Sequence, residues 1–262
     1  MNKKVFLLIF ILICVLFGLL NCTKDSSLEK IKASGVIHVG TTGDYIPMSY
    51  YNKKENRYEG YDIALIQDLA KDLGVQIEFV KTTWPTLMED TVNNKFDIAI
   101  SGITITSDRK NKALMSKGYL KNGKTILCRY EDIEKYKSIE DINKPEVKVM
   151  ENPGGLNEKF ARENLKKATL IIHNVNEEIP KLIAEKKADV MITEIMEAEF
   201  YANKDKRLAL PLGENTLTKG EIGIMLPKEN KALLKHINDF IEKEEKSGRL
   251  KELDGIYIKL NH

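Results

Sequence analysis

From Val36 onward, short apolar runs alternate with amphipathic stretches of helical period, and the alternation stops and then starts again. That double series constrains the fold more than any other feature, because strands separated by covering helices predict a mostly parallel sheet with helices on its faces. In the first series, Val36 to Gly40, Val75 to Val80 and Phe96 to Ser101 read as strands, with helices at Asp62 to Leu73 and Trp84 to Asn93. In the second, Val147 to Glu151, Thr169 to His173 and Asp189 to Thr193 read as strands, with helices at Asn157 to Leu165 and Glu177 to Glu185. Between the two lie Tyr119 to Lys124 and a strand from Thr125 to Cys128, and after the second comes Gly220 to Pro227. These read as two crossings between lobes. The expected architecture is therefore a two-lobed α/β chain with two hinge crossings and a central ligand cleft. Residues 36–124 with 222–262 form one lobe and 125–221 the other. An amphipathic helix from Asn230 to Leu253 returns to the first lobe. Two lobes of about 100 to 150 residues suit the length of the chain.

The amino terminus carries a different signal. Lys3 and Lys4 precede an apolar run from Val5 to Leu20 that holds no charge, which reads as a secretory signal over residues 1–21. The run is shorter than the ~20 residues of a spanning helix, and polar residues from Thr23 to Ser27 follow it at once. The segment Leu19-Leu20-Asn21-Cys22 resembles a bacterial lipoprotein signal, in which the cysteine is lipidated and becomes the new terminus. Asn21 departs from the usual Gly, Ala or Ser, so Cys22 as a plain signal residue stays open. Residues 22–35 then form a tether, and the exported protein is expected in the periplasm or at the cell surface, touching the membrane by its lipid anchor only.

Charge and rare residues limit the function classes. Lys3 and Lys4 are the only charges in the signal, so its removal takes the net charge from +2 to zero. A balanced surface with 31% charged residues gives no footprint for nucleic acid. With Cys14 in the signal and Cys22 as the lipid site, Cys128 has no partner for a disulfide. His38, His173, His236 and His262 are scattered with no metal-ligand spacing, so no metal and no cofactor is expected.

Three stretches fall where a strand ends and a helix begins, the place where open α/β sheets bind ligands. The first, Thr41 to Tyr50, reads as a loop in which Tyr45 offers an aromatic wall with a hydroxyl, or as a plain turn. The second, Ser101-Gly102-Ile103-Thr104-Ile105-Thr106-Ser107-Asp108-Arg109, sets small hydroxyl residues before a helix with Arg109 in its first turn. A planar guanidinium grips a carboxylate with two parallel hydrogen bonds, and free amides at a helix start add donors. The third, Asn152-Pro153-Gly154-Gly155-Leu156-Asn157, would present backbone donors to a second anionic group from the other lobe. Alone each is weak; together they make a clamp for a small carboxylate.

The second stretch resembles the ligand-carboxylate site of the extracellular solute-binding proteins. Further motifs narrow the resemblance: Thr41-Thr42-Gly43-Asp44-Tyr45, Thr83-Trp84-Pro85, Phe96-Asp97-Ile98-Ala99, Gly123-Lys124-Thr125, Asn152-Pro153-Gly154-Gly155 and Asn157-Glu158-Lys159-Phe160-Ala161-Arg162. Over nearly the whole exported chain these are similar to the cyclohexadienyl dehydratases. The resemblance implies a type II periplasmic-binding-protein-like fold and loss of water and carbon dioxide from prephenate or arogenate. It also implies a general acid at Glu197, because Thr193-Glu194-Ile195-Met196-Glu197-Ala198 matches that family's acid motif. Two residues depart from it. Glu194 stands where the family carries aspartate, the residue that would meet a ligand ammonium, and Leu156 stands where it carries threonine.

Loss of a ring hydroxyl requires a proton donor that is neutral at working pH. Burial in a closed cleft beside Trp84, with the Glu194 carboxylate nearby, is expected to raise Glu197 from about 4.3 towards neutrality. The candidate substrate-binding set is then Tyr45, Trp84, Ser101, Gly102, Thr104, Arg109, Lys124, Asn152, Gly154, Gly155, Asn157 and Glu194. Lys124 reads equally as a solvated hinge lysine. The competing class is a transport receptor that hands an amino acid to an ABC permease; it shares the fold and Arg109 but needs no buried acid facing the ligand.

Overall fold

The computed structural model describes residues 25–259, so the signal segment and Cys22 lie outside the described residues. Among the described residues, no helix is long and apolar enough to cross a membrane.

A short helix, α1 (Ser27–Ser34), leads through Gly35 at φ 71° into β1 (Val36–Thr41). The expected tether is not free: Leu28 packs against the first core, Ile31 is buried in it, and Asp25 accepts from the Ala232 amide. Strands β2 (Asp44–Tyr45), β3 (Ser49–Asn52) and β4 (Arg57–Glu59) form a small antiparallel sheet. Its register pairs Tyr45 with Ser49, where a loop was expected. Helix α2 (Tyr61–Leu73) buries Leu65, Ile66 and Leu69, and Gly74 at φ 72° ends it. A left-handed residue there suits glycine, which has no Cβ to clash. The next strand is β5 (Gln76–Lys81). Helix α3 (Leu87–Val92) is shorter than predicted, because Thr83 to Thr86 form a turn before it. Likewise β6 is confined to Ile98–Ala99, after which the chain leaves the sheet and Gly102 adopts φ 62°.

Helix α4 (Ser107–Lys112), β7 (Leu114–Met115) and β8 (Leu120–Asn122) lead to the second lobe. There β9 (Lys124–Arg129), α5 (Ile139–Ile142), β10 (Lys148–Glu151), α6 (Leu156–Asn164) and β11 (Thr169–Ile172) follow in order. A 3₁₀ turn at Asn176–Glu178 precedes α7 (Ile179–Ala184), β12 (Val190–Glu194), α8 (Ile195–Lys204) and β13 (Leu208–Ala209). The chain returns through β14 (Gly220–Ile222) and β15 (Met225–Leu226). The predicted last helix is two, α9 (Lys231–Ser247) and α10 (Arg249–Tyr257), broken at Gly248 with φ 84°.

Each lobe has a five-stranded sheet, ordered β5-β1-β6-β15-β7 in the first and β11-β10-β12-β9-β13 in the second. The sheets are mixed, since β15 runs antiparallel to β6 and β9 antiparallel to β12. The reason is topological: each strand that enters from the hinge arrives from the opposite end. Strands β8 and β14 pair with one another as the hinge ladder, Gly220 opposite Asn122. Lys124, expected in the first lobe, begins β9 and so belongs to the second sheet. Strand β9 is buried throughout, with Ile126 and Cys128 in one core cluster and Leu127 in another. Alternate residues of a strand face opposite sides, so a sheet covered on both faces reads as a continuous apolar run.

Candidate active site

The carboxyl ends of β1, β6, β10 and β12 all open on the cleft between the lobes. The cavity there is narrow, about 30 Å³. Tyr45, Trp84, Gly102, Thr104 and Arg109 line it from the first lobe, and Asn152, Gly155, Leu156, Asn157 and Glu194 from the second. Tyr45 meets Trp84 edge to face at 5.5 Å, and the Trp84 indole donates to Asp44 Oδ1 at 3.2 Å. The aromatic wall is therefore held at both ends.

Arg109 is placed by its own helix. Thr106 caps α4 by accepting from the Arg109 amide at 3.2 Å, and Arg109 Nη1 donates to the Thr104 carbonyl at 2.6 Å. One edge of the guanidinium is thus anchored while the rest of the group faces the cavity. Burial lowers its pKa to about 10, partly offset by the Glu194 carboxylate, so it stays cationic at neutral pH. It is half-buried, not the exposed side chain that a surface arginine would be.

Lys124 is buried, which excludes the solvated hinge lysine. Its Nζ donates to Asn157 Oδ1 at 2.5 Å and to Glu194 Oε1 at 2.9 Å. Thr104 Oγ1 reaches the same Glu194 oxygen at 3.4 Å from the other lobe. The carboxylate expected to meet a ligand ammonium is instead paired within the protein. A buried ion pair of this kind is tolerated only when further hydrogen bonds complete it, as Asn157 and Thr104 do here.

Glu197 lies in the first turn of α8 and is fully buried. Asn176 Nδ2 donates to its Oε1 at 2.9 Å, and the Thr193 hydroxyl bonds its Oε2. Burial pushes its pKa up to about 8, against those two bonds, with Glu194 and Asp44 adding to the rise. A helix start favours an anion by about 0.3 to 1 kcal/mol; the loss of hydration outweighs it. Glu197 is not itself on the cavity wall. Tyr45 stands there, and its buried hydroxyl has no hydrogen-bond partner. Burial first, then the negative Glu197 and Glu194, hold that phenol well above its ordinary value.

A family model for the bacterial extracellular solute-binding proteins, family 3, matches residues 37–259. The chain belongs to that family. It is 38% identical to the cyclohexadienyl dehydratase of Pseudomonas aeruginosa over 229 residues, covering 87% of this chain and 85% of that one. Among solved structures, an ancestral amino acid-binding protein described as a precursor of cyclohexadienyl dehydratase superposes with a TM-score of 0.81. It is 35% identical, over 89% of this chain and 100% of the other. An ancestral cyclohexadienyl dehydratase is 46% identical over 88% and 96% of the two chains, with a TM-score of 0.56. The two-lobed type II periplasmic-binding fold is thereby shown for this solute-binding protein.

Within this solute-binding protein, three expected ligand contacts, Lys124, Ser101 and Gly154, do not line this cavity. Ser101 does not line the cavity: its hydroxyl bonds Thr41, Thr42 and Ser49 in a buried cluster that pins the β1 loop to β6. Gly154, at φ 83°, is where the lobes approach, since a Cβ there would stand 2.6 Å from Pro85 Cγ. The reading also missed Asp44, Asn176 and Thr193. Asn176 follows the end of β11, as the other site loops follow their strands, and that position was its one available signal. Among the described residues, no group of three or more metal-ligating side chains gathers.

Proposed function

We propose that this solute-binding protein is an exported cyclohexadienyl dehydratase that converts prephenate to phenylpyruvate and arogenate to phenylalanine. The observation that carries the reading is Glu197, a buried carboxyl that keeps its proton near neutral pH beside a cavity lined by the fixed Arg109 cation. A receptor needs cations for a carboxylate; it has no use for a protonated acid. In this reading Arg109 grips one carboxylate, and amides at the start of α6, with the Asn152 and Asn157 side chains, hold the other. Glu197 supplies the proton that lets the ring hydroxyl leave as water. The ring carboxylate departs as carbon dioxide, its bonding electrons completing the aromatic ring, and one proton is taken up per turnover. Pairing of Glu194 with Lys124 supports prephenate, which has no ammonium, over arogenate.

The likeness to an ancestral amino acid-binding protein favours a second reading, an amino acid-binding lipoprotein of an ABC transporter. Incubating the purified exported chain with prephenate and following phenylpyruvate absorbance in alkali separates the two. Turnover supports the dehydratase. An inactive protein that binds amino acids establishes the receptor.

The lipid tether at Cys22 is part of the proposal. Cys22→Ser is expected to move the processed protein from the membrane fraction to the soluble one with its fold intact. A serine variant that stays with the membrane after signal removal would rule the tether out.

A further inference from the structure

The second lobe buries another acid, which the proposed chemistry does not use. Glu151 ends β10 and is fully buried, and the next residue, Asn152, is on the cavity wall. The neighbouring strand β12 ends at Glu194, also on the wall, and leads into the helix of Glu197. Whatever holds these two strand ends apart therefore sets the width of the site within this lobe.

Strands β10 and β12 run parallel and are joined by the pair Val149 and Val190. Among the described residues no further pair follows, although β10 runs on to Glu151 and β12 to Glu194. On its other side β10 keeps its register to the end: Glu151 stands opposite Ile172 of β11, and its carbonyl accepts from the His173 amide at 2.9 Å. The parting is thus confined to the side that faces β12. There the Ile192 amide donates to Glu151 Oε1 at 2.7 Å, so a side chain takes an amide that a regular ladder would give to a backbone carbonyl. Further on, Lys124 Nζ bridges the same two sides, bonding Asn157 in α6, which follows β10, and Glu194 at the end of β12.

Glu151 Oε2 is buried with no hydrogen-bond partner among the described residues. A polar atom left in that state costs stability, and an apolar side chain at this position would avoid the cost. We propose that Glu151 is a positioning residue, a strut whose carboxyl keeps the ends of β10 and β12 apart and so sets the distance between the Asn152 and Glu194 walls of the cavity. It lines no part of the cavity itself, and it acts through the strands on either side of it. Burial holds its carboxyl well above the ordinary glutamate range, against the Ile192 amide and Lys124, so the neutral glutamine is its close replacement. The strut serves the site equally if that site binds an amino acid without turning anything over.

Glu151→Val removes the carboxyl and frees the Ile192 amide for a backbone carbonyl of β10. Its crystal structure is expected to show β10 and β12 paired beyond Val149 and Val190, with Asn152 and Glu194 closer together than in the wild type. Its melting temperature should hold or rise by about 2 to 4 °C. Its kcat/KM for prephenate should nevertheless fall about tenfold to 100-fold, as misplaced site walls require. Glu151→Gln keeps an oxygen for Ile192, so strand spacing should stay as in the wild type and kcat/KM within about threefold of it. A merely structural glutamate gives the other pattern, in which stability and activity fall together. A Glu151→Val protein that unfolds or melts well below the wild type, that keeps the wild-type spacing, or that closes the spacing without losing activity overturns the strut, as does an inactive Glu151→Gln. A wild type with no turnover overturns the dehydratase reading alone, because the strand spacing and the melting temperatures still decide the strut.

Discussion

Glu197→Gln is expected to lower kcat for prephenate by about 100- to 10,000-fold while substrate binding stays within a few-fold of wild type. Glutamine fits the site without rearrangement. Its carbonyl oxygen can accept from Asn176 Nδ2, as Oε1 does, and its NH₂ can donate to Thr193 where the acid proton would. Only the transferable proton is lost, so the effect falls on kcat and not on KM. The wild-type pH profile supplies a second check. With a pKa of about 8 the acid is protonated at neutral pH, and kcat should fall as pH rises through that value. Stability follows the same sign. The folded pKa lies above the ordinary glutamate value of 4.5, so the contribution from the neutral group is complete below 4.5 and is lost as pH rises through about 8. Glutamine has no such loss, and the melting temperature of the variant should depend less on pH over that window. An active wild type whose kcat is untouched by Glu197→Gln would refute the assigned acid.

Arg109→Ala is expected to reduce kcat/KM by about tenfold or more, in line with the roughly 1.5 to 3 kcal/mol of a charge-assisted hydrogen bond. The fold should survive, because α4 is capped by Thr106 through the backbone of residue 109, and that bond does not need the side chain. The anchored Nη1 matters for lysine as a substitute. Arg109→Lys keeps the charge but cannot hold the Thr104 carbonyl and a carboxylate with one rigid fork, so it should recover only part of the loss. Isothermal titration with substrate beside thermal melts separates the two effects. Undiminished kcat/KM in a folded alanine variant would remove Arg109 from the site.

What the sequence determined by itself is what depends on local pattern. The strand and helix series, the crossings near Lys124 and Gly220, and the placing of loops at strand ends follow from apolar period and from glycine and proline punctuation, which act over a few residues. Arg109 was legible because its threonines and its helix start adjoin it in the chain, and Glu197 through its motif. The tertiary structure alone decided where hydroxyls and charges turn. Ser101 looked like a ligand contact and instead closes a cluster with Thr41, Thr42 and Ser49, more than fifty residues earlier in the chain. Gly154 looked like part of a turn offering backbone donors to an anionic group and is where the second lobe meets Pro85. The pairing of Lys124 with Glu194 spans the gap between an incoming hinge strand and the last parallel strand, and no spacing announces it. Asn176 is the clearest case. Its meaning depends on Glu197 within its own lobe and on the Asp44 carbonyl in the other, and those two oxygens come within reach of one amide only when the lobes are packed together.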